Sequence, residues 1–250
     1  KWWNSLYQYK INESASNVYY WNDMNEPTVV SEVERTFPKE NVYFGGYEFR
    51  EVRNLYGLLM DAATYEGVVN RNCDKNLRPF ILSRSFFAGS QKYSLILSGE
   101  NEASFDHLRK SISMSIVSGL CGISLSGSYI GGFNGEPTLD LISRWLQVGI
   151  FGYPLFVHNF YDHFSFNNLN FELLMNATKS RYEAAPLWYT SIQISHETGV
   201  PPVLPLFALF PEDENLHDIE DQFIIGQSLM VAPILEENAK EKRIVKPPGI

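Results

Sequence analysis

The sequence is short of cysteine, of basic residues and of long apolar runs, and each shortage excludes a class of protein. Two cysteines in 250 residues cannot form a disulfide framework, and the five histidines show no metal-ligand spacing beside them. Twenty basic against 29 acidic side chains, a net charge of −9, argue against nucleic acid or anionic membrane as a partner. No apolar run approaches the roughly 18 residues of a membrane span, so we expect no membrane insertion.

A glycine-rich nucleotide fingerprint is also missing. The segment GSYIGGF (127–133) lacks the G-x-G-x-x-G spacing and follows no suitable strand–helix pattern. Together with the absent metal-ligand spacing, this predicts a protein that needs no metal and no cofactor.

Short apolar runs that end in polar or glycine-rich turns recur along the chain. They are VYYWND (18–23), PFILSRS (79–85), SLILSGEN (94–101), GISLSGS (122–128) and PLFVHN (154–159). Runs that are apolar at nearly every position are typical of parallel strands buried on both faces. Helical spacing lies between them, at 49–69, 103–120 and 139–150. The first of these segments has apolar residues at Val52, Leu55, Tyr56 and Leu59, a three-and-four spacing typical of a helix.

Alternating strands and helices predict an α/β fold with a parallel sheet. Five such units, with polar residues gathered at the strand ends, favour a (β/α)₈ TIM barrel over an open sheet. A barrel of this kind builds its active site at the carboxyl ends of its strands. After about Pro201 the chain becomes rich in proline and in strand-forming residues. We therefore predict a partial barrel over residues 1–205 and the start of an all-β domain over 206–250.

The segment VYYWNDMNEP (18–27) places two acids directly after a strand. Asp23 follows Trp21 by two residues, so both side chains should point the same way, into the barrel mouth. One interpretation makes Asp23 a helix N-cap with Glu26 completing a capping box, although Pro27 disfavours helical angles at Glu26. The other makes them functional, because a carboxylate without compensation is costly to bury and usually has a task.

WNDMNEP is similar to the signature of glycoside hydrolase family 31. Segments in matching order resemble its α-glucosidase branch: KWWNSLYQY, NVYFGGYEFREVRNLYGLLM, RPFILSRSFFAGSQKY, SGENEASFDHL, IGGF, RYEAAPLWYT and IEDQF. The resemblance implies that the chain is a piece of a longer polypeptide. It would hold about strands 4–8 of the catalytic barrel and the beginning of the next domain.

The resemblance assigns roles to residues of the first half. Asp23 matches the family's nucleophile, and Glu26 matches an acid that supports it through hydrogen bonds, with a structural role in the turn as the alternative. Arg84 matches an arginine that hydrogen-bonds the sugar, and an ion pair with Asp23 or Glu26 is compatible with that role. Trp21, Phe87 and Phe133 are candidates for apolar walls against sugar faces, or for ordinary core residues.

The chain departs from the family's pattern at several positions. The W-T-G-D motif of the acid/base aspartate has become LSGE, so the role falls to Glu100, unless Glu100 is only a first-turn acid of the next helix. Tyr129 replaces an acid in GSYIGGF. In FVHNF, His158 takes the place of a family histidine through a one-residue shift, and the family's arginine is absent.

The resemblance implies a retaining hydrolase of α-glucosidic bonds in carbohydrate or N-glycan processing. Its substrate would be an oligosaccharide or α-glucoside, a regulatory β-subunit is a candidate partner, and the location would be the endoplasmic-reticulum lumen or another secretory compartment. The altered positions keep open an alternative, a catalytically degenerate paralogue that binds sugar or acts as a scaffold.

Overall fold

The structure is a computed structural model that describes residues 1–8, 18–71, 78–158 and 168–248. The chain divides into two units, Lys1–Leu97 and Ser98–Ile250, and each is described by itself. Within the described ranges, no helix combines the length and the apolar character that crossing a membrane requires.

The first unit is built on three short parallel strands. Its elements are α1 (Trp2–Ser5), β1 (Tyr20–Asn22), α2 (Phe49–Val52), α3 (Tyr56–Arg71), β2 (Ile81–Ser83) and β3 (Leu95–Leu97), with 3₁₀ turns at Arg53–Leu55 and Ser90–Lys92. The strands lie in the order β1-β2-β3, with Tyr20 opposite Ile81 and Leu82 opposite Leu95. Each strand falls inside one of the predicted apolar runs, and the predicted parallel pairing is confirmed.

Helix α3 begins inside the predicted helical segment 49–69 and is buried mainly through small and polar residues. Of the apolar residues at helical spacing, Leu55 and Leu59 are exposed by 36% and 61%. The buried positions are Gly57, Asp61, Thr64, Gly67, Val68 and Arg71. A Cβ on Gly57 would lie 2.6 Å from Ser85 Oγ, and one on Gly67 would lie 2.5 Å from the Tyr7 ring. The helix therefore approaches its neighbours through small residues, where larger apolar side chains would not fit.

The second unit contains two parallel strands and a separate antiparallel sheet. Its helices are α4 (Phe105–Leu120), α5 (Leu139–Gly152), α6 (Asn168–Glu183), α7 (Ala185–Thr198) and α8 (Leu206–Leu209). Its strands are β4 (Ser126–Ile130), β5 (Leu155–His158), β6 (Val203–Pro205), β7 (Phe223–Ile225) and β8 (Leu229–Val231), with a 3₁₀ turn at Glu214–Leu216. Strand β4 pairs with β5 in parallel, and β6, β7 and β8 form the antiparallel sheet. The predicted change to β structure after about residue 201 is confirmed.

The core of the second unit forms where α4 and α5 bury their apolar faces. Leu108, Ile112 and Ile116 are buried as the spacing predicts, and they share one cluster with Trp145 and Phe223. Fully burying an aliphatic side chain of this kind stabilises a fold by about 1.5–3 kcal/mol. Both helices also begin at a hydrogen-bonded cap. Ser104 Oγ accepts from the His107 N–H in α4, and Thr138 Oγ1 accepts from the Leu141 N–H in α5.

Candidate active site

The side chains at the end of β1 alternate between solvent and interior. Trp21 is 43% exposed, Asn22 only 4%, and the Asp23 side chain 47%. This is the period of two that extended backbone imposes. Trp21 and Asp23 therefore leave the strand on the same side, as the sequence predicts.

The chain turns sharply after Asp23. Met24 has a left-handed φ of 52°, an uncommon conformation for a residue with a side chain. The turn brings Asn25 inward, where its Nδ2 donates to Ser83 Oγ (2.9 Å) and its Oδ1 accepts from the Ser85 N–H (2.8 Å). No helix starts at this turn, so the interpretation of Asp23 and Glu26 as a capping box is wrong. The Asp23 carboxylate instead accepts from the Met24 N–H at 2.9 Å.

Arg84 holds Glu26 in a two-pronged ion pair. Its Nε donates to Glu26 Oε1 at 2.8 Å and its Nη2 to Glu26 Oε2 at 2.9 Å. Thr28 completes the group, because its Oγ1 accepts from Arg84 Nη2 (2.9 Å) and donates to Glu26 Oε2 (2.5 Å). The third nitrogen, Nη1, lies 3.5 Å from Asp23 Oδ1. The predicted ion pair is therefore present with both acids, and it is closer and more directional with Glu26.

This group keeps Glu26 ionised. Burial alone acts to raise the pKa of Glu26, but the hydrogen bonds from Arg84 and Thr28 outweigh it and the pKa lies below its ordinary value. Both carboxylate oxygens of Glu26 are engaged, and in the described contacts it reaches Asp23 only through Arg84. Asp23 is the more accessible carboxylate, with a side chain that is 47% exposed and lies beside Arg84 Nη1.

A buried polar cluster beneath β1 was missed by the sequence analysis. Asp61, on α3, is fully buried and accepts from Asn22 Nδ2 (2.8 Å) and from Ser94 Oγ (2.7 Å). Thr64 Oγ1 lies 3.1 Å from Asn22 Nδ2 in the same cluster. The sequence feature that points to this cluster is the helical spacing of three small or polar residues, Gly57, Asp61 and Thr64.

In the second unit, Glu100 lies on an exposed loop after the third predicted strand. The loop is fixed by the next residue. Asn101 Nδ2 donates to Ser128 Oγ (3.0 Å) and to the Tyr129 carbonyl (3.1 Å). Helix α4 begins only at Phe105 and has Asp106 as its first-turn acid. The interpretation of Glu100 as a first-turn acid is therefore wrong.

Asn101 also fixes the loop that carries Phe133. Its Oδ1 and its carbonyl oxygen both accept from the Phe133 N–H, at 3.0 and 2.8 Å. The two loops approach closely at Gly132, where a Cβ would lie 2.5 Å from the Ala103 nitrogen and where φ is +95°. Glu100 and Phe133 consequently sit on two loops that are tied together.

The candidate sugar-contact aromatics are not core residues. Trp21 and Phe87 are each 43% exposed, and Phe133 is partly exposed. The ring of Phe133 meets that of buried Tyr129 edge-on, with centroids 5.1 Å apart. The core interpretation of these three aromatics is therefore wrong, since none of them is fully buried.

His158 is the last residue of β5, paired with Ile130 of β4. Its side chain lies outside the described part of the structure, so the predicted substitution for a family histidine stays a prediction. Among the side chains that the structure does describe, no group of three or more His, Cys, Asp and Glu is arranged to hold a metal ion.

Comparison with protein families accounts for most of the chain. Residues 1–191 match the glycosyl hydrolase family 31 TIM-barrel domain, and residues 199–250 match the glycosyl hydrolase family 31 C-terminal domain. The chain belongs to glycosyl hydrolase family 31. The predicted fold class and family resemblance are thereby confirmed, while the boundary between residues 205 and 206 stays a prediction.

Individual relatives agree with this assignment. The neutral α-glucosidase AB of Dictyostelium discoideum is 39% identical over 99% of this chain and 27% of the relative. The crystal structure of a glucosidase II α-subunit bound to Glc1Man2 superposes with a TM-score of 0.89 at 35% identity, over 95% of this chain and 26% of that one. A complex of endoplasmic-reticulum glucosidase II with the binding domain of its regulatory subunit also has a TM-score of 0.89 at 35% identity, over 95% of this chain and 27% of that one. The chain thus spans about a quarter of the length of these relatives.

Proposed function

We propose that the protein containing this chain is a retaining α-glucosidase with Asp23 as its nucleophile. The arrangement of Asp23, Arg84 and Glu26 is the observation that carries the proposal. An accessible carboxylate leaves the end of a strand beside a guanidinium that a second carboxylate holds in place. Membership of a family of glycosyl hydrolases supplies the reaction class.

In a retaining mechanism one ionised carboxylate attacks the anomeric carbon and forms a glycosyl-enzyme intermediate. A second carboxylic acid protonates the departing oxygen and then deprotonates the water that cleaves the intermediate. Asp23 is suited to the first role because it is accessible and faces Arg84 Nη1 at 3.5 Å. Glu100 is the candidate for the second, since it is an exposed acid on a loop that buried Asn101 anchors.

Glu26 has a supporting role in this mechanism. It orients the guanidinium of Arg84 through two hydrogen bonds, and Arg84 in turn faces Asp23. A two-pronged pair of this kind fixes the plane of the guanidinium as well as its charge. Arg84 can then hydrogen-bond a sugar hydroxyl from a defined position.

The substrate would be an oligosaccharide or another α-glucoside, held against partly exposed aromatic side chains. Together with Arg84, the proposed sugar-contact residues are Trp21, Phe87, Phe133 and His158. The crystal structure of a related α-subunit bound to Glc1Man2 supports an N-glycan-type substrate. The related complex with a regulatory subunit supports a β-subunit partner and a location in the endoplasmic-reticulum lumen or another secretory compartment.

The role of Glu100 is tested by comparing natural and aryl α-glucosides as substrates of the full-length protein. A general acid contributes about 10²- to 10⁴-fold, and most where the leaving group is poor. Glu100→Gln should therefore lower kcat on a natural disaccharide by about that factor while a nitrophenyl glucoside loses far less. Glu102→Gln, at an exposed acid on the same loop, is the matched control and should leave both rates unchanged.

Two results would contradict the proposal in different ways. If Glu100→Gln leaves the natural substrate's rate intact, Glu100 is not the acid/base. If the folded wild-type protein hydrolyses neither substrate, the hydrolase itself is rejected. The degenerate sugar-binding paralogue would then be the better interpretation, on the strength of the altered residues Glu100, Tyr129 and Val157.

A further inference from the structure

Asp61 is a fully buried acid that takes no part in the proposed reaction steps. Both of its oxygens are used: Oδ1 accepts from Asn22 Nδ2 at 2.8 Å, and Oδ2 accepts from Ser94 Oγ at 2.7 Å. These donors are both neutral side chains of the described chain.

A buried carboxyl group of this kind adds little net stability to a fold, because its removal from water is costly. Burial raises the pKa of Asp61, and the hydrogen bonds that it accepts from Asn22 and Ser94 only partly oppose it. An apolar side chain of similar size would avoid most of the cost of removing a carboxyl group from water. A buried acid that persists without a cation beside it therefore points to a requirement other than stability.

The partner of Asp61 adjoins the proposed nucleophile. Asn22 is the last residue of β1 and is followed directly by Asp23. The Asn22 amide turns its nitrogen toward Asp61 Oδ1, at 2.8 Å. That contact fixes the rotamer of Asn22 and leaves Thr64 Oγ1 to donate to its oxygen at 3.3 Å.

The same residue is also connected to Arg84. The Asn22 carbonyl oxygen accepts from the Arg84 N–H at 3.2 Å, just beyond the last paired residues of β1 and β2. Asn22 thus links the buried carboxylate of Asp61 to the backbone positions from which Asp23 and Arg84 project.

We infer that Asp61 is a positioning residue for the proposed glycosidase reaction, acting through Asn22 to set the attack geometry of Asp23. The inference rests on the proposed function. A displacement of about 1 Å at a reacting group can cost roughly 100-fold in rate. Loss of Asp61 should therefore lower kcat without weakening substrate binding, because the sugar contacts themselves stay in place.

The experiment compares Asp61→Ala, Asp61→Asn and Val68→Ala in the full-length protein, with kcat and KM on a nitrophenyl α-glucoside. Asp61→Ala should lower kcat by roughly 100-fold with little change in KM. Asp61→Asn should restore most of the rate, since its oxygen can accept from Asn22 and its amide can donate to Ser94. Val68→Ala, at a buried position two turns further along α3, should lower the thermal midpoint and leave kcat unchanged.

If Asp61→Ala is folded and keeps the wild-type kcat, Asp61 is only structural and the inference is overturned. If Asp61→Ala does not fold, Ser94→Ala is used in its place, because this variant removes the hydrogen bond to Asp61 Oδ2. A lowered kcat at unchanged KM would support the inference, and a wild-type kcat would reject it. A folded wild-type protein without turnover would reject the hydrolase proposal itself, and the positioning role with it. The wild-type control therefore separates the two failures.

Discussion

Asp23 and Glu26 lie three residues apart, yet the structure gives them different surroundings. Glu26 receives two hydrogen bonds from Arg84 and one from Thr28, whereas Asp23 has one guanidinium nitrogen at 3.5 Å. The inverse arrangement would occupy the nucleophile with hydrogen bonds and leave the supporting acid accessible. The surroundings thus fit the proposed roles, with Asp23 as the nucleophile and Glu26 as the acid that supports it.

The lowered pKa of Glu26 makes a prediction about acid stability. A carboxyl group whose folded-state pKa lies below its ordinary value of 4.5 stabilises the fold above that pH. The contribution is lost as the pH falls from about 4.5 through the lower folded-state pKa, because the unfolded chain then binds the proton more readily. The thermal midpoint of Glu26→Gln should therefore lie below that of the wild type near neutral pH and approach it in acid.

Thermal unfolding of the full-length protein between about pH 7 and about pH 3 measures this difference. Glu32→Gln, at an exposed acid of the same unit, is the control and should follow the wild type throughout. If the difference in thermal midpoint between wild type and Glu26→Gln stays constant with pH, the ion pair with Arg84 does not lower the pKa of Glu26.

Individual residues were predictable where the motif is local. Asp23, Glu26 and Arg84 meet as the sequence predicts, because short strands and one tight turn place them together. Asp61 was not predictable in the same way. A single acid in a helical segment is ordinarily a solvent-facing residue, and only packing against Asn22 and Ser94 reveals that it is buried.

Among the elements, α3 does most to position the first-unit site. Its buried face carries Asp61 and Thr64, which bind Asn22, and Gly57, which lies against Ser85 just beyond Arg84. The periodicity predicts the helix, but the apolar residues that show it do not mark the buried face, because Leu59 is 61% exposed. Small residues are buried instead, since the helix approaches its neighbours closely there.

Gly57→Ala tests this packing, since two effects of opposite sign compete. Alanine favours a helix over glycine by about 1 kcal/mol, whereas overpacking costs about 1–3 kcal/mol. A Cβ would lie 2.6 Å from Ser85 Oγ and 2.7 Å from the Ser85 carbonyl oxygen, and the backbone atom cannot rotate away. We therefore expect a lower thermal midpoint together with a reduced kcat, as Ser85 shifts beside Arg84.

Asn70→Ala is the matched control, because it lies at an exposed position on the same helix and changes helix propensity without a clash. It should raise stability by a few tenths of a kcal/mol, about what the propensity scale allows. If Gly57→Ala also stabilises the protein, the close approach between α3 and Ser85 is not a constraint.

At the scale of the whole chain, the alternation of strands and helices was sufficient to predict the fold class. Buried parallel strands are apolar at nearly every position, and this pattern does not depend on distant contacts. The sequence analysis made no prediction for α6 and α7, and the segment from 155 to 170 includes His158, whose side chain lies outside the described residues. The part of the candidate site that depends on β5 therefore rests on the family resemblance.

Covalent trapping tests the central claim, that Asp23 is the nucleophile, most directly. The full-length protein would be incubated with a fluorinated α-glucosyl substrate whose intermediate breaks down slowly, then digested and mapped by mass spectrometry. A retaining mechanism with Asp23 as nucleophile predicts one glycosyl adduct, located on Asp23. It also predicts no adduct on Asp23→Asn, with a nearly unchanged thermal midpoint because this side chain is 47% exposed. An adduct on a different residue, or labelling that persists in Asp23→Asn, would contradict the account.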